Sequence, residues 1–321
     1  MYRAVRREHP LRLGRIPMVG HKKDLEPMPE ALQSSTAALK IMYKEDFDAQ
    51  GALRIIREVE IMSRCQGHAG ICRLDAVFET DDVVALALEL CEGGELFQKL
   101  LKLRAFPESQ AVPIFAQIVA AVAFLHANGV VHRDLKMENI MFSDASANAQ
   151  IKLVDFGFAR YASADELLYT PCGTADYVAP ELAIHEGHAY QRHVDAWALG
   201  VVLFVMLCGF PPFAAKSDIE LLQSISHGHF TFPTKYWSHI SDEAKDLVRA
   251  LLEVNPKQRL TPAAVLEHPW ITRRRDAAST VQYSSAAVTA TPPAEAQLRR
   301  SLLLAEHLID VWLDPSPPFL R

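Results

Sequence analysis

A carboxylate, an ammonium and a carboxamide stand close together in VVHRDLKMENIMF, residues 130–142, as Asp134, Lys136 and Asn139. Moving a phosphoryl group requires something to orient the attacking hydroxyl, a cation near the transferred phosphate and hard oxygen ligands for Mg²⁺. These residue types supply all of that within one short loop. A second carboxylate, Asp155, closes the apolar run KLVDFG. Magnesium that bridges phosphates is commonly held by one or two carboxylates, and Gly157 lets the backbone turn after the acid.

The elements that must position these groups can be read from apolar spacing. Residues 34–43 are strand-like, and residues 52–65 (ALRIIREVEIMSRC) carry Leu53, Ile56 and Ile61 near helical spacing. AVFETDDVVALALEL reads as a hairpin with its turn at Thr80–Asp82. From residue 92 onward helices dominate. One spans SQAVPIFAQIVAAVAFLHANG and stops at Asn128–Gly129, and another begins after Ser241 as its N-cap and ends before Pro256. Residues 272–294, rich in Arg, Ser, Thr, Ala and Pro, read as linker, and EAQLRRSLLLAEHLIDVWLD reads as a terminal helix. The expected class is therefore α+β and two-lobed. A small β-rich lobe occupies 1–91, a larger helical lobe 92–271, and a linker with its helix 272–321, with a hinge near Glu89–Gly94.

Composition narrows the function. With 321 residues, half of them apolar and 22% charged, the chain suits a soluble globular protein. A net charge of −6 argues against nucleic-acid binding by bulk charge. Five scattered cysteines without a CxxC pair suit a reducing compartment and fit neither a disulfide framework nor a zinc site. The longest apolar run, Trp197–Phe210, is shorter than a membrane span and reads as a core helix. A cytoplasmic location is expected, with the nucleus left open.

HRDLKMEN resembles the catalytic loop of the eukaryotic protein kinases, H-R-D-L-x-x-x-N, and it is followed by Asp155-Phe156-Gly157 and Ala179-Pro180-Glu181. The resemblance implies ATP and Mg²⁺ as cofactors. Asp134 would serve as catalytic base, Lys136 would sit beside the moving phosphoryl group, and Asn139 and Asp155 would be metal ligands. Lys40 in AALKIM corresponds to the strand lysine that contacts the α- and β-phosphates. Glu58, with Glu60 as competitor, corresponds to its helical partner. Leu88 would be the gatekeeper, and the backbone of Glu89–Cys91 would hold adenine. Asp195 resembles the buried acid behind the catalytic loop, and Glu181 with Arg259 the ion pair of the large lobe.

Lys136, CEGGELF, CGTADYVAPEL and EHPWI resemble the calcium/calmodulin-dependent group of serine/threonine kinases over about residues 34–271. Glu95 also falls in the expected nucleotide-site set. Glu95 and Glu138 match acids that read an arginine before the phosphoacceptor, although a solvated acidic surface explains them equally. The resemblance places Thr174 in the catalytic cleft and Thr170 as the activating phosphosite that Arg133 would clamp, with Tyr169 the weaker alternative.

The pattern breaks before Lys40, where no G-x-G-x-x-G occurs. YRAVRRE at the start resembles the strand that follows such a loop, which makes residues 9–33 an insert and a truncated start the favoured expectation. A real loss of the loop is the alternative. Backbone N–H groups of that loop cover phosphates, so its absence predicts weak ATP binding. Leu298, Leu302, Ala305, Ile309 and Trp312 share one helical face, but residues 295–314 hold Glu295, Glu306, Asp310 and Asp314 against Arg299 and Arg300. Calmodulin, which prefers basic helices, is disfavoured as a partner. Two functions remain open: phosphoryl transfer to protein Ser/Thr hydroxyls, and a scaffold that uses the fold without turnover.

Overall fold

The computed structural model describes residues 11–12, 36–80, 82–162, 175–183, 192–215 and 217–277. These divide into two compact units, residues 11–12, 36–67 and 72–92 in one and 68–71 and 93–277 in the other. Residues 68–71 join the helical unit through backbone pairing: Leu153 N–H donates to the Gly70 carbonyl at 2.8 Å, and Ile71 bridges Leu153.

The first unit is an antiparallel sheet with one helix. Strands β1 (Leu11–Arg12), β2 (Thr36–Tyr43), β3 (Leu74–Glu79) and β4 (Val83–Glu89) lie in the order β1-β2-β4-β3. β1 falls inside the segment expected to be an insert. It pairs with Ala37 and Thr36 at the open edge of β2, where unpaired backbone groups accept an extended dipeptide. The strand expected at YRAVRRE lies outside the described residues. In the β3–β4 hairpin, Thr80 Oγ1 accepts the Asp82 and Val83 N–H groups, which sets the turn the sequence suggested.

Helix α1 (Ala49–Cys65) starts at Asp48, whose carboxylate accepts the Gly51 N–H at 2.8 Å. Its inward residues include Ala52, Ile55, Ile56, Val59, Ile61 and Met62, while Leu53 is 40% exposed. The expected apolar set was thus one position out at its N-terminal end. Spacing of i, i+3, i+7 from Ala52 is the stripe that packs, and alanine is too small to announce it.

The second unit is built on two apolar helices. It contains α2 (Leu96–Leu103), α3 (Glu108–Ala127), β5 (Val130–Val131), β6 (Ile140–Phe142), β7 (Ile151–Leu153), β8 (Arg160–Tyr161), α4 (Pro180–Ala183) and α5 (His193–Cys208). It continues with α6 (Asp218–His227), α7 (Thr234–Trp237), α8 (Asp242–Leu251), α9 (Pro262–Val265) and α10 (Pro269–Ala277). β5 pairs with β8 and β6 with β7, both antiparallel. Every residue of α5 from Val194 to Cys208 is buried.

Helix α3 is 20 residues long and apolar enough to cross a membrane by length and composition, beyond the run singled out from sequence. Its side chains, among them Phe115, Ile118, Val122 and Leu125, are instead buried within this unit. It ends where expected: Asn128 Nδ2 donates to the Phe124 carbonyl at 2.8 Å, and Gly129 takes φ +69°. α10 runs to Ala277, so the expected linker at 272 begins inside a helix. Pro269 opens it with φ suited to a first turn, and the arginines that suggested linker are good helix formers. The expected terminal helix lies outside the described residues.

One carboxylate ties three helices of this unit together. Glu108, in the first turn of α3, accepts the Ser241 N–H (3.0 Å) and hydroxyl (2.6 Å) at the start of α8, and the Trp270 Nε1–H (2.6 Å) in α10. Glu108→Ala should destabilise the protein by about 2 kcal/mol through the buried indole donor left without an acceptor. Glu108→Gln, which keeps an acceptor oxygen, should lose less. Urea unfolding midpoints at unchanged slope measure both.

Candidate active site

In the first unit, strand alternation decides what Lys40 can reach. Lys40 lies in β2 opposite Leu86, on the face turned toward α1. Its Nζ donates to both oxygens of Glu58, at 2.6 and 2.9 Å, and the Glu58 carboxylate is 2% exposed. Glu58 rather than Glu60 is the partner, because Glu58 shares the inward face of α1 with Ile55 and Met62. A buried carboxylate is costly unless paired, so the bidentate contact holds both side chains in one geometry. Leu88, half-buried in β4, pairs with Ala38 and Leu74, and Glu89 N–H donates to the Arg73 carbonyl at 2.9 Å. Cys91, two residues on, is buried.

In the second unit the loop between β5 and β6 folds around Asp134. Lys136 Nζ donates to Asp134 Oδ2 at 2.7 Å, and Asn139 Nδ2 donates to the Asp134 carbonyl (2.8 Å) and to Oδ2 (3.0 Å). The Asn139 amide is therefore anchored by its nitrogen, which turns its oxygen away from Asp134. Antiparallel pairing of Ile140 with Leu153 puts Asn139 opposite Val154, whose N–H donates to the Asn139 carbonyl at 3.0 Å. Asp155 is the next residue. It adopts φ +60°, and its Oδ1 accepts the Gly157 N–H at 3.3 Å. Phe156, fully buried and 5.1 Å from the His132 ring, fixes the backbone just beyond it. The structure thus brings Asp134, Lys136, Asn139 and Asp155 to the paired ends of β6 and β7.

Behind this loop lies Asp195, in the first turn of α5 and 1% exposed. Its Oδ2 accepts the His132 N–H at 2.9 Å and lies 2.8 Å from His126 Nε2, while Oδ1 accepts the Arg133 N–H at 2.9 Å. Burial alone would raise the Asp195 pKa. The His126 hydrogen bond, the His126 and His132 charges and the Arg133 N–H outweigh it and hold the carboxyl below its usual range. Arg259, 3% exposed, has a partner for each guanidinium donor. It makes two bonds to Glu181, at 2.7 and 2.8 Å, and reaches the carbonyls of His193, Glu253 and Val254, with its guanidinium 5.1 Å from the Trp197 ring centroid.

The expected substrate acids also lie in this unit. Glu95 is 9% exposed and pairs by backbone with Met141, three residues after Glu138, so both acids sit near the start of β6. Glu138 Oε2 is buried with no hydrogen-bond partner, and Glu138 borders a cleft of about 410 Å³ with Phe97, Leu101, Tyr177, Phe210 and Pro211. That cleft was not legible in the sequence, since its wall combines α2, α5 and the turn after α5. Thr170 and Thr174 lie outside the described residues.

A family model described as "Protein kinase domain" matches residues 28–271. The chain belongs to the protein kinase family. It is similar to calcium-dependent protein kinase 12 of Arabidopsis thaliana, 40% identical over 232 residues, which are 72% of this chain and 46% of that protein. A probable myosin light chain kinase of Dictyostelium discoideum is 40% identical over 235 residues, 73% of this chain and 59% of the relative. Human ribosomal protein S6 kinase alpha-3 is 45% identical over 219 residues, 67% of this chain and 29% of the relative. The kinase chain therefore spans about half the length, or less, of these relatives, and its catalytic domain is of the calcium/calmodulin-dependent-like group.

Asp195→Asn places an amide donor where the kinase loop offers only donors. It should cost about 3 kcal/mol by leaving a buried N–H unsatisfied. The depressed native pKa means Asp195 contributes stability above its unfolded value and loses it as pH falls through the lower folded value. The wild-type stability curve should accordingly fall more steeply below pH ~4 than that of the variant. Chemical denaturation as a function of pH reads both effects.

Proposed function

We propose that this chain is a serine/threonine protein kinase that transfers the γ-phosphoryl group of magnesium-ATP to protein hydroxyls. The observation that carries the reading is the Asp134 carboxylate held between Lys136 Nζ and Asn139 Nδ2. Asp134 orients the substrate hydroxyl and accepts its proton, and both hydrogen bonds keep the carboxylate from rotating away. Lys136 keeps a positive charge beside the point where negative charge shifts between oxygens. Its place two residues after Asp134 favours a serine or threonine acceptor over tyrosine.

The donor set fits magnesium, a hard cation that takes oxygen ligands. Asn139 would offer its amide oxygen, since its nitrogen is committed to Asp134, and Asp155 would offer a carboxylate. When bound, the metal neutralises phosphate charge. Lys40, locked by both Glu58 oxygens, would anchor the α- and β-phosphates, with the backbone from Glu89 to Cys91 against adenine and Leu88 beside it. Protein substrates with an arginine before the phosphoacceptor follow from the unpartnered Glu138 oxygen, with Glu95 in support. A cytoplasmic or nuclear site of action and independence from calmodulin complete the proposal.

A second reading, a scaffold without turnover, is favoured by the lack of any G-x-G-x-x-G before Lys40. It makes a slow enzyme the expected outcome. Incubation of the purified chain with magnesium-ATP and an arginine-containing peptide should give phosphopeptide slowly. Asp134→Asn should reduce transfer to background with an unchanged unfolding midpoint. Transfer no higher than that of Asp134→Asn would support the scaffold instead. Glu138→Ala should lower the preference for arginine over alanine upstream of the acceptor by about tenfold, the loss of one buried charge-assisted contact. Ratios of kcat/KM for paired peptides test it.

A further inference from the structure

The cleft beside Glu138 carries two opposite charges that have no partner among the described residues. Its floor is apolar. Phe97 and Leu101 come from α2, Phe210 and Pro211 from the turn after α5, and Leu101 is 57% exposed. Glu138 borders the cleft with its buried, unpartnered Oε2. Arg104, the residue that ends α2, borders it as well. Arg104 is exposed, and among the described residues no carboxylate lies within ion-pair distance of it.

The two charges stand at different ends. Glu138 is next to Asn139, which donates to Asp134. Burial first, and then the charges of Glu138, Asp176 and Asp134, push the Tyr177 pKa up, so these acids gather around Tyr177 on the side of the catalytic loop. Helix α5 sets the other end. Its first turn holds that loop through Asp195, and from Asp195 to Cys208 the helix rises about 20 Å. Gly209 follows, and a Cβ there would run into the Arg104 carbonyl oxygen, so Arg104 lies against the far end of α5. Position 104 also has φ +66°, a conformation that glycine takes freely and arginine does not. Arginine thus stands where the backbone favours glycine.

We propose that Arg104 reads an acidic residue of the protein substrate, one placed further from the phosphoacceptor than the substrate's arginine, with an apolar substrate residue lying on the cleft floor between the two charges. This deepens the kinase reading and rests on it for the direction in which the substrate runs. The reverse order would set the substrate acid against Glu138 and Asp176 and its arginine against Arg104, which like-charge repulsion disfavours. A lone anion would leave Glu138 unanswered, so a polypeptide with both charges is the occupant that fits. A cleft of about 410 Å³ is on the order of 7 Å across, the length of two extended residues. With the reach of the arginine side chain, the acid falls about two to four residues beyond the substrate arginine. Because Arg104 is exposed, its selectivity is about fivefold and is screened by salt.

Serine peptides with one upstream arginine and, about two to four residues further upstream, either glutamate or lysine are given to the purified full chain with magnesium-ATP. The expected kcat/KM favours the glutamate peptide by about fivefold at one of these spacings. High salt removes the preference, and so does moving the glutamate between the arginine and the serine. Arg104→Glu reverses it. Arg104→Gly abolishes it while raising the unfolding midpoint, because the left-handed position is relieved. Transfer with no preference at any spacing, or with a preference that Arg104→Glu leaves unaltered, overturns the proposal and upholds the kinase reading. If no peptide is phosphorylated, fluorescence anisotropy of the same peptides, labelled, separates the two. A glutamate preference in binding that Arg104→Glu reverses supports the role of Arg104 and overturns the kinase reading, whereas binding without a charge preference overturns both. A dimer that Arg104→Glu disperses, with no peptide preference, gives the cleft to a second copy of the chain and overturns the proposal.

Discussion

A single buried carboxylate organises the catalytic loop. Asp195 is taken out of water in the first turn of a helix buried along almost its whole length, and a lone charge there would cost several kcal/mol. Its bonds are what make it tolerable, and they come from the loop itself: the backbone N–H groups of His132 and Arg133, with His126 from the end of α3. The helix N-terminus adds a favourable dipole. The loop that carries Asp134 and Lys136 is thus bolted to the centre of the helical unit by two main-chain donors, and its side chains are left to do chemistry. Arg133 pays for this with φ +72°, a conformation that costs a non-glycine residue on the order of 1 kcal/mol.

Asp155 shows the same logic on the neighbouring strand. It too is a non-glycine residue at positive φ, and Phe156, buried against His132, keeps it there. The two strained residues flank the ends of β5 and β7, and the strain is held at both by groups that touch His132 or its peptide. Gly93 anchors the start of the helical unit to β6, the strand between them in sequence. A Cβ at that position would lie 2.1 Å from the Asp144 carbonyl oxygen, and Gly93 N–H donates to the Phe142 carbonyl at 3.1 Å. Only glycine allows residue 93 to approach β6 so closely, whereas at Gly94, with open space at its Cβ, the requirement is its φ of +77°.

Much of the catalytic loop was legible because its chemistry is local. Asp134, Lys136 and Asn139 lie within one loop, and the geometry that joins them needs only that loop and the β6–β7 pairing. Glu58 was legible as the partner of Lys40 through the resemblance, and the packing supplies the reason, since it is the acid on the inward face of α1. What could not be read is what depends on distant segments meeting. Glu108 reaches Ser241 and Trp270 across more than a hundred residues, and no local pattern marks it as anything but a helix-start acid. The start of α1's buried stripe was misplaced because Ala52 carries too little apolar surface to stand out beside Leu53. β1 was hidden for another reason: a two-residue strand has no period, and pairing at the edge of β2 is its whole signal.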